Sequence, residues 1–208
     1  MENIDLTKID KVERIQRPTR EVFYRDFFFR SKPIIITEAM SDWRALSLWT
    51  PDYLKSVIGT VLLPIAVSSN GIFPCDPEKG WSSTCYEEME FRNYIDLISL
   101  KNELKKTYYL QHKSIPEKFP VLANDLEYPE YFNKNNTTMN LWIGSGGNFT
   151  PIHYDFAPNF LAQVKGQKQV VLFPPTESAR LYPLPLHSEN ANLSRVNIDK
   201  PDLQKLTA

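Results

Sequence analysis

The sequence has 208 residues and a mass of 24.2 kDa, which is the size of one ordinary domain, and we expect a single domain over residues 1–208. Apolar residues make up 42% and charged residues 24%, so the composition excludes a wholly disordered chain. The 24 Lys and Arg residues nearly balance the 25 Asp and Glu residues, which argues against a protein held on DNA mainly by its overall charge.

The sequence has neither an evident targeting segment nor a cysteine motif typical of disulfides or metal sites. The first residues contain no hydrophobic signal core, and the longest apolar run, residues 61–67, is too short to span a bilayer. Cys75 and Cys85 lie ten positions apart, without a Cys-x-x-Cys pair. We therefore interpret both as reduced thiols of a cytoplasmic protein that has no membrane partner.

The first half of the sequence mixes helices and strands. The predicted elements are a helix over 20–30, a strand over 33–37, a helix over 51–58 and a strand over 61–69. Thr19 is a suitable N-cap for the first helix, and Thr50 is one for the second. Gly59 follows the second helix, as expected just beyond a helix end. Pro64 indicates that the strand over 61–69 lies at an edge or carries a bulge.

The second half changes to closely spaced strands. After a strand over 88–91, a helix over 93–100 and a strand over 107–111, we predict strands over 139–144, 152–155, 159–165 and 168–173, then a helical turn over 176–181. Gly166-Gln167 fits a two-residue hairpin. Helices come first and short strands later, without the βαβ alternation of a parallel sheet, which predicts an α+β fold that is mainly β, with an antiparallel barrel or double-sheet jelly roll.

The candidate chemistry centres on His153-x-Asp155, because the chain has only three histidines. Side chains two apart on a strand point to the same face, so both could reach one cation. An imidazole and a carboxylate are two thirds of the 2-His-1-carboxylate site that binds Fe(II). A surface polar pair is the competing interpretation of the same spacing.

Two neighbouring features add to this pair. The turn over residues 144–148 holds three of the seven glycines, which lets the backbone pass close to a ligand, and Thr150 follows it with a hydroxyl group. Lys168 begins a strand that is apolar on both faces. An inward ammonium there would need a counter-charge such as a ligand carboxylate, whereas an outward one would be a surface hairpin lysine.

Four segments carry a resemblance to a known family: LWIG (141–144), NFTPIHYD (148–155), NFLAQVKGQK (159–168) and LFPP (172–175). Together they closely resemble the cupin-like Jumonji C hydroxylases, nearest the asparaginyl hydroxylases that act on hypoxia-inducible factor. The tRNA wybutosine hydroxylases are similar too. A weaker resemblance extends through KPIII (32–36) and WTPDYL (49–54), so nearly the whole sequence is covered.

The resemblance implies a double-stranded β-helix of the cupin type, with Fe(II) and 2-oxoglutarate as cofactor and co-substrate. It implies His153 and Asp155 as iron ligands, and a co-substrate site formed by Lys168, Thr150, Tyr109 and Asn159. The implied reaction is oxidative decarboxylation of 2-oxoglutarate to succinate, coupled to hydroxylation of a C–H bond. A protein side chain is the expected substrate, and an RNA base is the alternative.

One departure from the family pattern concerns the third iron ligand. The family takes it from a distal histidine on a late strand, and this sequence contains no matching segment. We therefore expect the final strands to be missing. Three explanations stay open: a fragment of a longer enzyme, a short form that keeps a binding role, or a site completed by His187, His112, a water or a partner chain. The binding-module hypothesis predicts that an unfinished sheet recruits a partner strand, for instance from a second copy of the chain in a homodimer.

Overall fold

A computed structural model describes residues 10–74, 76, 79–100 and 105–196. These residues belong to two compact units, which we call the helical unit (Met1–Val57 and Lys113–Leu141) and the sheet unit (Ile58–His112 and Trp142–Ala208). The expected single domain stays a prediction. Cys85 is an exposed free thiol, and Cys75 lies outside the described residues.

The described strands are β1 (Arg14–Gln16), β2 (Ile35–Thr37), β3 (Leu62–Ser68), β4 (Cys85–Glu90), β5 (Thr107–Ser114) and β6 (Asn140–Gly144). The described α-helices are α1 (Arg20–Asp26), α2 (Ala45–Leu48), α3 (Pro51–Ile58), α4 (Phe91–Ser99), α5 (Ile115–Lys118) and α6 (Pro120–Ala123). Short 3₁₀ helices cover Phe28–Arg30, Gly80–Ser83, Lys134–Asn136 and Pro175–Leu181. The predicted mixture of helices and antiparallel strands is confirmed.

In the helical unit, α1 begins as its sequence predicts. The Thr19 hydroxyl accepts a hydrogen bond from the backbone N–H of Val22 at 3.3 Å, which is an N-cap. The helix ends at Asp26, earlier than predicted, and the chain continues as a 3₁₀ turn. Phe23 and Phe27 from this segment form a buried cluster with Tyr131. The parallel pair β1–β2 lies in the same unit.

A buried carboxylate organises a second part of the helical unit. Asp125 accepts hydrogen bonds from the Trp49 indole N–H at 3.1 Å and from the Tyr53 hydroxyl at 2.6 Å. The bond to Asp125 is the main reason that the pKa of Tyr53 is raised. Trp49 and Tyr53 flank the start of α3, which has the predicted bounds, with Thr50 accepting from the Tyr53 N–H at 3.2 Å. Asp125 therefore holds this helix start by two side-chain bonds.

The sheet unit is built on a four-stranded sheet with the order β4–β3–β5–β6. The pairs β3–β4 and β3–β5 are antiparallel. Pro64 of β3 faces Glu88 of β4, whereas β5 pairs only with the Ala66–Ser68 end of β3. The predicted edge position is wrong for the strand, because β3 lies between β4 and β5, and its register with β4 runs without a bulge. Pro64 is tolerated because it lies outside the stretch that pairs with β5.

Tyr94 of α4 links the two last strands of this sheet. Its side chain is fully buried, and its hydroxyl accepts from the Leu110 N–H at 3.2 Å and donates to the Ile143 carbonyl. One hydroxyl therefore satisfies a backbone donor on β5 and a backbone acceptor on β6. Burial raises the pKa of Tyr94 far above its ordinary value.

The strands predicted over 152–155, 159–165 and 168–173 are wrong. In their place the described chain has isolated bridges, His153 with Leu193 and Pro183 with Ser194, and residues 155–173 lack regular structure. A strand requires a neighbour for its backbone groups, and the described residues provide none for 159–173. The predicted helical turn over 176–181 is confirmed as the 3₁₀ helix Pro175–Leu181.

Among the described residues, every helix falls short of the length and apolar character that crossing a membrane requires. The cytoplasmic location expected from the sequence stays a prediction.

Candidate functional site

The glycine-rich turn after β6 is tied to β5 by one asparagine. Asn148 donates from its side chain to the Tyr108 carbonyl at 3.1 Å and accepts from the Gly146 N–H at 3.1 Å. A Cβ at Gly144 would lie 2.2 Å from the Asn148 side-chain oxygen, so only glycine allows this approach. The sequence immediately before Thr150 and His153 is thus held against the sheet.

Tyr109 and Lys168, 59 positions apart in the sequence, meet in the sheet unit. The Lys168 Nζ lies 3.4 Å from the Tyr109 hydroxyl. Tyr109 is 6% exposed and packs its ring against Phe73 at 5.5 Å and Trp142 at 5.7 Å, measured between ring centroids. Burial lowers the pKa of Lys168 and raises the pKa of Tyr109. The structure therefore places the Lys168 ammonium, for which the described part of the chain offers no ion pair, beside a protonated phenol.

Gln111 is a residue of this region that the sequence analysis did not single out. It follows Tyr109 by two positions on β5, so the strand geometry directs both side chains to the same face. Gln111 is 8% exposed, and its Nε2 is buried without a hydrogen-bond partner among the described residues. Leaving a buried donor unpaired costs free energy, and a ligand that accepted a hydrogen bond from this amide would recover that cost. The alternation within TYYLQ was the signal that could have identified it.

His153 is oriented through its own segment. Its Nδ1 lies 2.8 Å from the Pro151 carbonyl, and because a carbonyl only accepts, the ring donates from Nδ1 and keeps the Nε2 lone pair. The backbone at His153 pairs with Leu193, and the next N–H, that of Tyr154, donates to the Asn192 carbonyl at 3.0 Å. The imidazole is thus held in the tautomer that a metal ligand requires.

Asp155 and Asn159 form the second pair of predicted site residues. The Asn159 side-chain N–H donates to Asp155 Oδ2 at 2.7 Å, which leaves Oδ1 as the carboxylate atom that could bind a cation. Both residues are exposed. Thr150 is half-buried and takes part neither in this bond nor in the contact between Lys168 and Tyr109.

His153 and Asp155 are of the residue types that would supply two ligands of a metal site, and a third ligand is not found among the described residues. Within residues 10–74, 76, 79–100 and 105–196, no three His, Cys, Asp or Glu side chains come together as a metal site would need. His112 packs its ring against Trp142 at 5.8 Å, and His187 is exposed. Neither therefore completes the site with His153 and Asp155 in this structure.

Comparison with known proteins places this arrangement in a family. A family model described as a cupin-like domain matches residues 19–208. The chain is 32% identical to lysine-specific demethylase 8 of Danio rerio over 209 residues, which cover 96% of this chain and 49% of that protein. It is 31% identical to JmjC domain-containing protein D of Dictyostelium discoideum over 224 residues, which cover 97% of this chain and 48% of that protein.

A third relative carries a different name. The tRNA wybutosine-synthesizing protein 5 of Gallus gallus is 30% identical over 208 residues, which cover 94% of this chain and 63% of that protein. The chain spans about half the length of the curated relatives it matches. None of these three bears the name of an asparaginyl hydroxylase, so that finer likeness stays an expectation from the sequence. The chain belongs to the cupin-like domain family, in its Jumonji C group, and its fold class is the jelly roll of the cupins.

Proposed function

We propose that the chain is an Fe(II)- and 2-oxoglutarate-dependent oxygenase that hydroxylates a protein side chain. The observation that carries this proposal is the contact between the Lys168 ammonium and the Tyr109 hydroxyl at 3.4 Å. A cation and a phenol donor side by side, with burial lowering the pKa of the lysine, suit a dicarboxylate ligand.

The distal carboxylate of 2-oxoglutarate would bind between these two groups. Its charge would pair with the Lys168 ammonium, which belongs to an exposed residue whose pKa is lowered by partial desolvation, and the Tyr109 hydroxyl would donate a second hydrogen bond. Thr150 supplies a further hydroxyl to the same carboxylate by family resemblance. The unpaired Gln111 amide is a donor available to another oxygen of the co-substrate.

His153 Nε2 and Asp155 Oδ1 are the atoms that would hold the metal. The Pro151 carbonyl fixes the His153 tautomer, and Asn159 orients the Asp155 carboxylate. When bound, Fe(II) supplies the activation of O₂ that couples decarboxylation of 2-oxoglutarate to oxidation of the substrate. The overall balance is R–H, O₂ and 2-oxoglutarate giving R–OH, CO₂ and succinate. A third ligand has to come from outside the described residues or from solvent.

The names of the relatives support a protein substrate. Two of them are called lysine-specific demethylase 8. Hydroxylation of an N-methyl C–H bond gives a carbinolamine that releases formaldehyde, so side-chain hydroxylation and demethylation share one oxidation step. A tRNA base is the alternative substrate, in line with the name of the relative from Gallus gallus.

The first test is an anaerobic titration of the purified chain with Mn(II), with and without 2-oxoglutarate. We expect 2-oxoglutarate to tighten Mn(II) binding, and His153→Ala to abolish it. Lys168→Ala should weaken 2-oxoglutarate binding about 10- to 100-fold, because a charge-assisted hydrogen bond contributes about 1.5–3 kcal/mol. Lys134→Ala, which removes an exposed lysine of the helical unit, is the control. Equal Mn(II) affinity in His153→Ala and the wild type would contradict the proposal.

A second candidate function is a catalytically silent binding module that associates with itself. The observation in its favour is the set of exposed apolar side chains after His153: Tyr154, Phe156, Phe160, Leu161, Val170, Leu172 and Phe173. Together they expose roughly 700 Å², if each side chain offers about 200 Å² when fully exposed, which approaches the share of one partner in a standard interface. Dimers in sedimentation velocity, combined with no Mn(II) binding, would favour this module over the enzyme.

A further inference from the structure

A short 3₁₀ helix, Gly80–Ser83, is fastened to a distant part of the sheet unit by a single side chain. The Asn190 side-chain oxygen accepts from the Trp81 N–H at 3.1 Å. The amide nitrogen of the same side chain donates to the Lys79 carbonyl at 3.4 Å. Asn190 therefore satisfies one donor and one acceptor at the start of this turn, as a second strand would.

Gly80 shows how close this approach is. Its backbone has φ +63°, and a Cβ built at this position would lie 2.0 Å from the Asn190 Cγ. A side chain at residue 80 would thus be strained and would displace Asn190. The buried glycine and the asparagine fit together as one contact, which we call the Asn190 latch (Lys79, Gly80, Trp81 and Asn190).

The latch places the Trp81 ring against the histidine of the candidate metal site. The Trp81 and His153 ring centroids lie 6.3 Å apart, and the ring planes are perpendicular. This edge-to-face arrangement is favourable for aromatic rings. The Pro151 carbonyl already restrains the imidazole through Nδ1, so the indole supplies a second restraint from another segment of the chain.

The segment that carries Asn190 also holds the backbone of the histidine. The Leu193 N–H donates to the Asn190 carbonyl at 2.9 Å, and Leu193 pairs with His153 in an antiparallel bridge. Residues 190–193 thus restrain His153 in two ways. Leu193 pairs with the His153 backbone, and Asn190 holds the Trp81 ring that contacts the His153 imidazole. Both restraints meet at Asn190.

We propose that Asn190 is a positioning residue for the metal-binding histidine: through Trp81 it holds the His153 imidazole with Nε2 available to the metal. The inference rests on the proposed function, because it assigns His153 as a ligand. A metal-binding side chain that other residues already hold in position loses less conformational entropy when the metal binds. Removing such supporting contacts typically weakens metal affinity 10- to 100-fold. The role is separate from any contact with the substrate.

The test compares Asn190→Ala with Asn133→Ala. Asn133 also holds the start of a short 3₁₀ helix, Lys134–Asn136, because its side chain accepts from the Asn135 N–H at 3.1 Å, but it lies in the helical unit and is not a residue of the candidate site. We expect Asn190→Ala to weaken Mn(II) binding about tenfold. Asn133→Ala should stay within about twofold of the wild type. Trp81→Phe should retain more affinity than Trp81→Ala, because a phenyl ring preserves the edge-to-face contact.

A second readout does not depend on metal. In ¹⁵N-labelled, metal-free protein at alkaline pH, where imidazoles are neutral, the nitrogen shifts of His153 report the tautomer. The wild type should show a protonated Nδ1 and a free Nε2. Asn190→Ala should show a smaller share of this tautomer, because the ring, once released by Trp81, can turn away from the Pro151 carbonyl. Unchanged His153 shifts together with unchanged Mn(II) affinity in Asn190→Ala would overturn the proposal.

Two further outcomes separate the inference from the proposed function. If Asn190→Ala and Asn133→Ala weaken Mn(II) binding equally, with equal losses of thermal stability, Asn190 is merely structural and the positioning role is wrong. If the wild type binds no Mn(II), the proposed function fails, and the nitrogen shifts alone decide whether Asn190 orients the ring.

Discussion

The two halves of the candidate site are built in different ways. The co-substrate half stands on the sheet scaffold, by which we mean β3–β6 with Phe73 and α4. There Tyr109 and Gln111 are nearly fully buried, and Tyr94 joins two strands with one hydroxyl. The proposed metal ligands lie in the ligand segment, residues 145–196, which also carries Lys168 and in which isolated bridges replace the ladder of a sheet.

Side chains on the scaffold, such as Tyr109, are held in place by burial in the sheet unit. Side chains in the ligand segment, such as His153, are held by a few local hydrogen bonds. Opening of a protein costs least where few apolar contacts and few backbone bonds hold the chain. His153 and Asp155 are exposed, and each is oriented by one side-chain hydrogen bond. We infer that the Tyr109 and Gln111 side of the proposed co-substrate pocket exists before any ligand binds, whereas Lys168 and the proposed metal ligands depend on local restraints such as the Asn190 latch.

The largest expected effect contrasts two phenylalanines. Phe73 is 0% exposed and packs on Tyr109, so Phe73→Ala should lower the free energy of unfolding by about 3–5 kcal/mol. Phe156 in the ligand segment is 80% exposed, so Phe156→Ala should change it by about 0.5 kcal/mol or less. Urea unfolding of both variants measures the contrast. Similar losses in the two variants would show that the ligand segment is packed as tightly as the scaffold.

A smaller effect is expected from Tyr94→Phe. Removing the hydroxyl leaves the Leu110 N–H and the Ile143 carbonyl buried without their partner, at a cost of about 2 kcal/mol. The pKa of Tyr94 is raised in the folded protein, so the unfolded chain loses this proton first, above about pH 10. The tyrosine therefore contributes stability that is fully present below that pH and is lost as the pH rises further.

Urea unfolding of wild type and Tyr94→Phe from pH 8 to pH 11 separates the two contributions. The variant should be less stable at pH 8, and its stability should fall less steeply in alkali, because the titrating group is gone. Parallel pH curves for the two proteins would argue that Tyr94 titrates alike in the folded and unfolded chain.

Local signals in the sequence were sufficient for the scaffold. The Thr50 cap with Pro51 and Gly59 gave the exact bounds of α3, and the β-favouring residues of TYYLQ gave the start of β5. These signals depend on neighbours along the chain. The strands predicted over 159–173 failed because a strand also requires a partner, which no local pattern supplies.

The site residues were also predicted from local signals. His153 and Asp155 were predicted from their spacing and from family resemblance, and Lys168 from the apolar strand pattern around it and the same resemblance; the structure places Lys168 beside Tyr109. Asn190 and Gln111 were missed, because their importance lies in contacts with residues far away in the sequence or in the lack of a partner. Neither property is visible without coordinates.

The smallest expected effect concerns the pH dependence of 2-oxoglutarate binding to the scaffold half. Burial lowers the pKa of Lys168 from 10.5, and it raises the pKa of Tyr109 from 10.0. As the pH rises, Lys168 therefore loses its proton at a pH where an ordinary lysine is still charged, while Tyr109 keeps its hydroxyl. Affinity for 2-oxoglutarate should fall severalfold through this range, because the carboxylate loses its cation.

The measurement is ligand-detected NMR on the metal-free chain between pH 8 and pH 10.5, since Mn(II) precipitates as its hydroxide in alkali. Lys168→Arg is the matched variant, because a guanidinium stays charged throughout this range, and its weaker affinity should be independent of pH. A fall of the same size in Lys168→Arg would assign the pH dependence to another group. A pH-independent affinity in the wild type would place the co-substrate carboxylate away from Lys168, and the scaffold half of the site would then have to be sought elsewhere on the sheet.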